Sequence, residues 1–232
     1  MWRKPAFFMV MACALPLAHA EFYGFDCITN NSAANCPSGT SLSTQFFVEV
    51  LPVLGQPNQV QFTFYNLASG AASSITDVYF DDGTLLGIAS IINSTGVNFS
   101  QGASPPNLPG GSSISPAFQT TAGFLADANS PPSINGVNPG ERLDIIFNLI
   151  SGQTITETLA ALNGPLGDGN DLRIGIHVQA FANGGSESFV SNPGGPRPDP
   201  FQVTSVPEPT SVVLLGTTLL GVCCLLRKRF AA

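Results

Sequence analysis

Few side chains in this sequence could do chemistry, and those that could are mostly acidic. Asp77, Asp81 and Asp82 cluster at the end of a β-rich run, and Asp168-Gly-Asn-Asp171 forms an oxygen-rich turn. Carboxylates grouped in this way suit a hard cation, so Asp77, Asp81, Asp82, Asp168 and Asp171 are candidate ligands for calcium. Each is also an ordinary turn residue by type. The other chemistry is thin. His177 is the only histidine beyond residue 20, which excludes a zinc site built from several His or Cys ligands. A serine nucleophile would have that one base to work with, set mid-strand, and no Gly-x-Ser-x-Gly turn surrounds any serine. His177 therefore reads as an exposed strand residue. Glu49, Glu141, Glu157 and Glu187 could supply a glycosidase pair, but nothing distinguishes two of them. The residue types thus nominate no catalytic group and no cofactor beyond calcium.

The elements that would position these residues are short and extended. Residues 60–65 alternate apolar and polar side chains as a half-buried strand does, and 45–51, 75–80, 85–92, 143–150 and 172–181 read the same way or as buried strands. In 172–181, Leu172, Ile174, Ile176, Val178 and Ala180 should face in, with Arg173, His177 and Gln179 facing out. Thr154-Ile-Thr-Glu157 has the form of a capping box, and the apolar residues behind it predict one short helix stopped by Gly164-Pro165. Pro/Gly-rich loops fill 100–115, 129–140 and 191–200. Many short strands with long loops predict an all-β fold, an antiparallel β-sandwich of jelly-roll type, over residues 21–191. Residues 192–205 read as a semi-rigid linker.

Charge is distributed unevenly. All 15 acidic residues lie between Glu21 and Glu208, where the only basic residues are Arg142, Arg173 and Arg197, a net charge of −12. Such a surface repels phosphate backbones, which excludes nucleic acid as a partner. The other five basic residues flank two apolar segments. Arg3 and Lys4 precede an apolar run at 7–17, and Ala18-His19-Ala20 supplies the small residues of a cleavage site. Residues 1–20 therefore read as a signal peptide cut by signal peptidase, with the mature chain starting at Glu21. Residues 211–226 carry no charge. Sixteen residues at ~1.5 Å rise span roughly 24 Å, slightly short of a bilayer core of ~30 Å. Snorkelling by Arg227, Lys228 and Arg229 covers the difference. These three bases should stay cytoplasmic, leaving the acidic body outside.

Val206-Pro207-Glu208-Pro209, then the short apolar helix, then Arg227-Lys228-Arg229, resembles the PEP-CTERM sorting signal of Gram-negative bacteria. The resemblance covers residues 206–232. It implies that Val206, Pro207, Glu208 and Pro209 form the recognition element for exosortase, a membrane-embedded cysteine protease, which removes the helix nearby. Such proteins commonly belong to species that make exopolysaccharide and biofilm. The physics agrees, since two prolines keep the segment extended and unpaired, as a protease requires.

Export places Cys27 and Cys36, the only cysteines of the body, in an oxidising compartment. With no metal partners at hand, they are predicted to form a disulfide. The sequence thus predicts a non-catalytic protein that is exported, anchored in the inner membrane with its body outside, processed, and left at the cell surface or in an exopolysaccharide matrix. Two competing readings are a carbohydrate- or calcium-binding module and an exported hydrolase. The absence of tryptophan after Trp2 weakens a sugar-stacking surface.

Overall fold

The computed structural model describes residues 20–36, 45–81, 84–150, 152–166 and 171–191. Ten strands run through them: β1 Glu21–Cys27, β2 Phe46–Val53, β3 Gln56–Asn66, β4 Ser74–Asp81, β5 Leu85–Asn93, β6 Phe99–Gln101, β7 Leu125–Ala128, β8 Arg142–Leu149, β9 Arg173–Gln179 and β10 Glu187–Ser191. The described residues also form two α-helices, the single turn α1 at Pro132–Asn135 and α2 at Ile155–Asn163, and a 3-10 turn at Gly111–Ser113.

The strands form one antiparallel sheet in the order β5-β8-β3-β2-β1-β10-β9-β4-β7-β6. β1 is the joint between its halves. Glu21–Gly24 pair with β2, and Phe25–Cys27 pair with β10. At the far ends the sheet almost closes on itself. The Asn93 side chain of β5 donates to the Phe99 carbonyl of β6 at 3.1 Å and accepts its amide at 2.8 Å. The fold is therefore all-β and antiparallel, as the strand patterning predicts, but as one nearly closed, barrel-like sheet.

The two halves face each other over a core rich in phenylalanine. Phe80 of β4 meets Phe147 of β8 at 4.6 Å between ring centroids and Phe62 of β3 at 5.1 Å. All three are fully buried. Burying each ring stabilises the fold by about 1.5–3 kcal/mol, and edge-to-face packing adds to this. α2 covers one end of the core with Ala161 and Leu162. Its start is fixed as the sequence predicts. Thr154 caps the helix and accepts the Thr156 amide at 3.2 Å, while Glu157 accepts the Thr154 amide at 2.9 Å and bonds the Thr154 hydroxyl.

Two features are not visible in the sequence pattern. The first is a bulge in β4, where the register shifts between Ile75 and Asp77. Strict alternation would put Ile75 on the same face as Asp77 and Tyr79. With Thr76 inserted, Ile75 joins Val78 and Phe80 in the core, and Asp77 stays on the outer face. The second is the loop over residues 102–124. It lies across the outer face of the half made by β10, β9, β4 and β7, where Leu108 and Phe118 pack on Tyr79 and Val190. The reading of β9 is corrected in two places: the strand ends at Gln179 and Ala180 beyond it is exposed, and two of its outward side chains are covered. Arg173 and His177 do occupy the outer face, but they are buried, 4% and 8% exposed.

Candidate functional site

The outer face beneath the loop is built in rows, because antiparallel register sets residues of neighbouring strands side by side. The central row is apolar: Val190 of β10, Gly175 of β9, Tyr79 of β4 and Leu125 of β7. Gly175 is required there, since a Cβ at that position would stand 2.7 Å from Leu108 Cδ2 and 3.1 Å from Phe118 Cζ.

On one side of this row lies an ion pair. Arg173 faces Asp81 across β9 and β4 and bonds its carboxylate. The guanidinium also donates to the carbonyls of Pro116 at 2.7 Å and Ala117 at 2.6 Å, and it lies 5.4 Å from the centroid of the Phe118 ring. Asp171 approaches Arg173 Nε at 3.7 Å, and Asp81 also accepts the Gln119 amide at 2.9 Å. Two of the predicted calcium ligands, Asp81 and Asp171, are thus brought together, but around an arginine. The two carboxylates share the charge of that one arginine, and the arrangement pins the far end of the loop. Asp82 and Asp168 lie outside the described residues.

On the other side lies a polar row: Ser188 of β10, His177 of β9, Asp77 of β4, Asp127 of β7 and Ser100 of β6. His177 Nδ1 is 3.1 Å from Asp77 Oδ2, which also accepts the Thr76 hydroxyl at 2.8 Å. Asp77 is 1% exposed. Burial first, and then the Asp77 carboxyl alongside, push the Asp127 carboxyl up to about 6, while the Ser104 amide partly opposes the shift. Burial, with help from both aspartates, raises the Tyr79 phenol well above its ordinary value. Its hydroxyl donates to the Pro105 carbonyl at 3.0 Å. Ser188, His177 and Asp77 share the residue types of a nucleophilic triad. Yet Ser188 is fully buried and its hydroxyl bonds to nothing, whereas acyl transfer needs a serine that is bonded to its base and reachable by substrate. The sequence could not reveal this row, because His177 and Asp77 are 100 residues apart and meet only through strand register.

The four glutamates are dispersed and each has a local task. Glu49 accepts the Tyr65 hydroxyl at 2.8 Å, and Glu141 accepts the Asn138 amide at 2.8 Å. Glu157 caps α2, and the Thr154 bond holds its carboxyl below the ordinary range. Glu187 is fully buried. It accepts the Thr29 hydroxyl at 2.7 Å and the amides of Asn31 and Ser32 at 3.1 and 2.7 Å. Beside it, Cys27 and Cys36 form the expected disulfide. Among the described residues, the one compact grouping of three potential metal ligands is Cys27, Cys36 and Glu187, and its two sulfurs are bonded to each other. The large apolar side chains exposed among the described residues are Leu54, Leu86, Ile92, Ile134 and Leu166, none of them aromatic.

Ala20 is exposed, and β1 begins at Glu21. Ala18, Val206, Pro207, Glu208, Pro209, Arg227, Lys228 and Arg229 lie outside the described residues, as does the predicted span 211–226. Among the described residues no helix is long and apolar enough to cross a membrane. Comparison with known proteins bears on that tail. A family model for the PEP-CTERM protein-sorting motif matches residues 205–229. The chain therefore carries that motif, which supports export and exosortase-type processing at the membrane. No curated protein and no solved structure matches the chain.

Proposed function

From the sorting motif at residues 205–229, we propose that this chain is an exported, non-catalytic protein of the cell surface or the extracellular exopolysaccharide matrix. Signal peptidase removes residues 1–20. The segment 211–226 then holds the chain in the inner membrane with residues 21–191 outside the cytoplasm. An exosortase-type protease acts at Val206–Pro209 and releases the body or passes it on. The matched motif carries this reading. The Cys27–Cys36 disulfide agrees with it, because such bonds persist in oxidising compartments. The charge of the body agrees too. Of the basic residues described in the structure, Arg173 is buried and Arg142 lies 3.9 Å from Asp144, so the surface is strongly acidic. A surface of that kind stays hydrated and soluble within a polysaccharide gel.

Two measurements test this. Protease added to intact cells should degrade the body while cytosolic markers survive, and the released protein should fractionate with the extracellular polysaccharide. A body that is protected in intact cells would contradict the localisation. A protein that washes freely from the polysaccharide would remove the matrix role and leave the sorting untouched.

A further inference from the structure

β4 and β7 place like charges face to face. Asp77 stands directly opposite Asp127, a pairing that repels unless the two carboxylates share a proton or a cation. Asp77 is 1% exposed, so solvent screens little of that repulsion. The two oxygens of Asp77 are served unequally. Oδ2 has the Thr76 hydroxyl and His177 Nδ1, whereas Oδ1 is buried and has no fixed donor, the Asp127 carboxyl alongside being able to bond Asp77 only while it holds a proton. A buried anionic oxygen without a fixed donor is costly, and water or an ion bound there would offset the cost. Asp127 is only half-buried, which leaves the pair open to water on one side. Ser100, opposite Asp127 on β6, adds a neutral hydroxyl to the same row.

We infer that Asp77 and Asp127 form a site for a hard divalent cation, calcium by preference, beneath the start of the 102–124 loop. Oxygen is the only donor the pair offers, which favours calcium over softer metals. Nitrogen ligation by His177 is not needed, since its Nδ1 is engaged with Asp77 Oδ2. Water completes the coordination from the Asp127 side. The loop is tied to the same residues: the Ser104 amide bonds the Asp127 carboxylate, and the Pro105 carbonyl accepts the Tyr79 hydroxyl. A bound cation therefore fixes Asp127 and, through it, the start of the loop. The site is distinct from the Asp81 and Asp171 carboxylates, which already surround Arg173. It also stands apart from the sorting reading, since binding is measured on purified protein whatever its route in the cell.

The test is calorimetric titration of the mature protein with calcium chloride, alongside melting with calcium and with chelator. Two carboxylates plus water predict a Kd on the order of 0.1–1 mM. At about tenfold excess over Kd, calcium should raise Tm by about 3–6 °C. Asp127→Asn should lose both the heat and the shift, while Asp144→Asn, on the other half of the sheet, should keep both. Hydrogen exchange on the wild-type protein adds a readout that needs no variant: calcium should slow exchange at residues 100–105 and 125–128. No heat and no shift up to about 10 mM calcium would overturn the assignment, given the affinity range of such sites. Binding that survives Asp127→Asn, or protection confined to other residues, would overturn it equally.

Discussion

Gly175 shows how closely this protein depends on single side chains. Its missing Cβ makes room for Leu108 and Phe118, so Gly175→Ala must push the 102–124 loop off the sheet or strain both residues. We expect a loss of about 1–3 kcal/mol in urea melts. The cost should fall on the loop, seen as faster exchange of its amides while β2 and β3 stay protected. Cys27→Ser removes a link across nine positions, and the chain-entropy model puts its worth at about 2–3 kcal/mol. Unchanged melting and unchanged non-reducing gel mobility would contradict the bridge. Residue types are legible where local chemistry decides the outcome, as with the two cysteines. Burial is not. Arg173 and His177 read as exposed because they sit at the outward positions of β9, but Arg173 is covered by a loop some 60 residues earlier in the chain and His177 is buried beside Asp77 of β4. Asp81 and Asp171 read as candidate calcium ligands by sequence, and it is strand register that brings Arg173 to Asp81, with Asp171 close by.

At the scale of elements, local rules do best where the signal sits inside the element. The α2 cap is written in Thr154 and Glu157 and forms as expected. Thr154→Ala should cost about 0.5–2 kcal/mol. Because α2 closes one end of the core through Ala161 and Leu162, the loss should appear in the global melt and not as local fraying. Strands with clean alternation, such as β3 and β8, are also legible. β6 is too short to show a period, and β7 and β10 are little longer. The β4 bulge is hidden because one inserted residue inverts the alternation. Residues 100–115, which include the first part of the 102–124 loop, read as a Pro/Gly-rich connector. The loop's packing is carried by Leu108 and Phe118, two apolar residues too far apart to form a pattern.

At the scale of the whole molecule, the two kinds of information separate. The fold rests on long-range strand register, which joins β1 to β10 and β3 to β8 and which the linear pattern does not record. The destination rests on a short contiguous motif that a protease reads in extended form, so the linear order of residues is enough to reveal it. Processing at that motif is the central claim, and intact-mass analysis tests it most directly. The protein should be measured from cells that have the processing protease and from cells that lack it. With the protease present, the mass should correspond to a chain that starts at Glu21 and has lost the segment beyond Val206–Pro209. Without the protease, that segment should remain. A tail that stays intact in both strains would contradict the account.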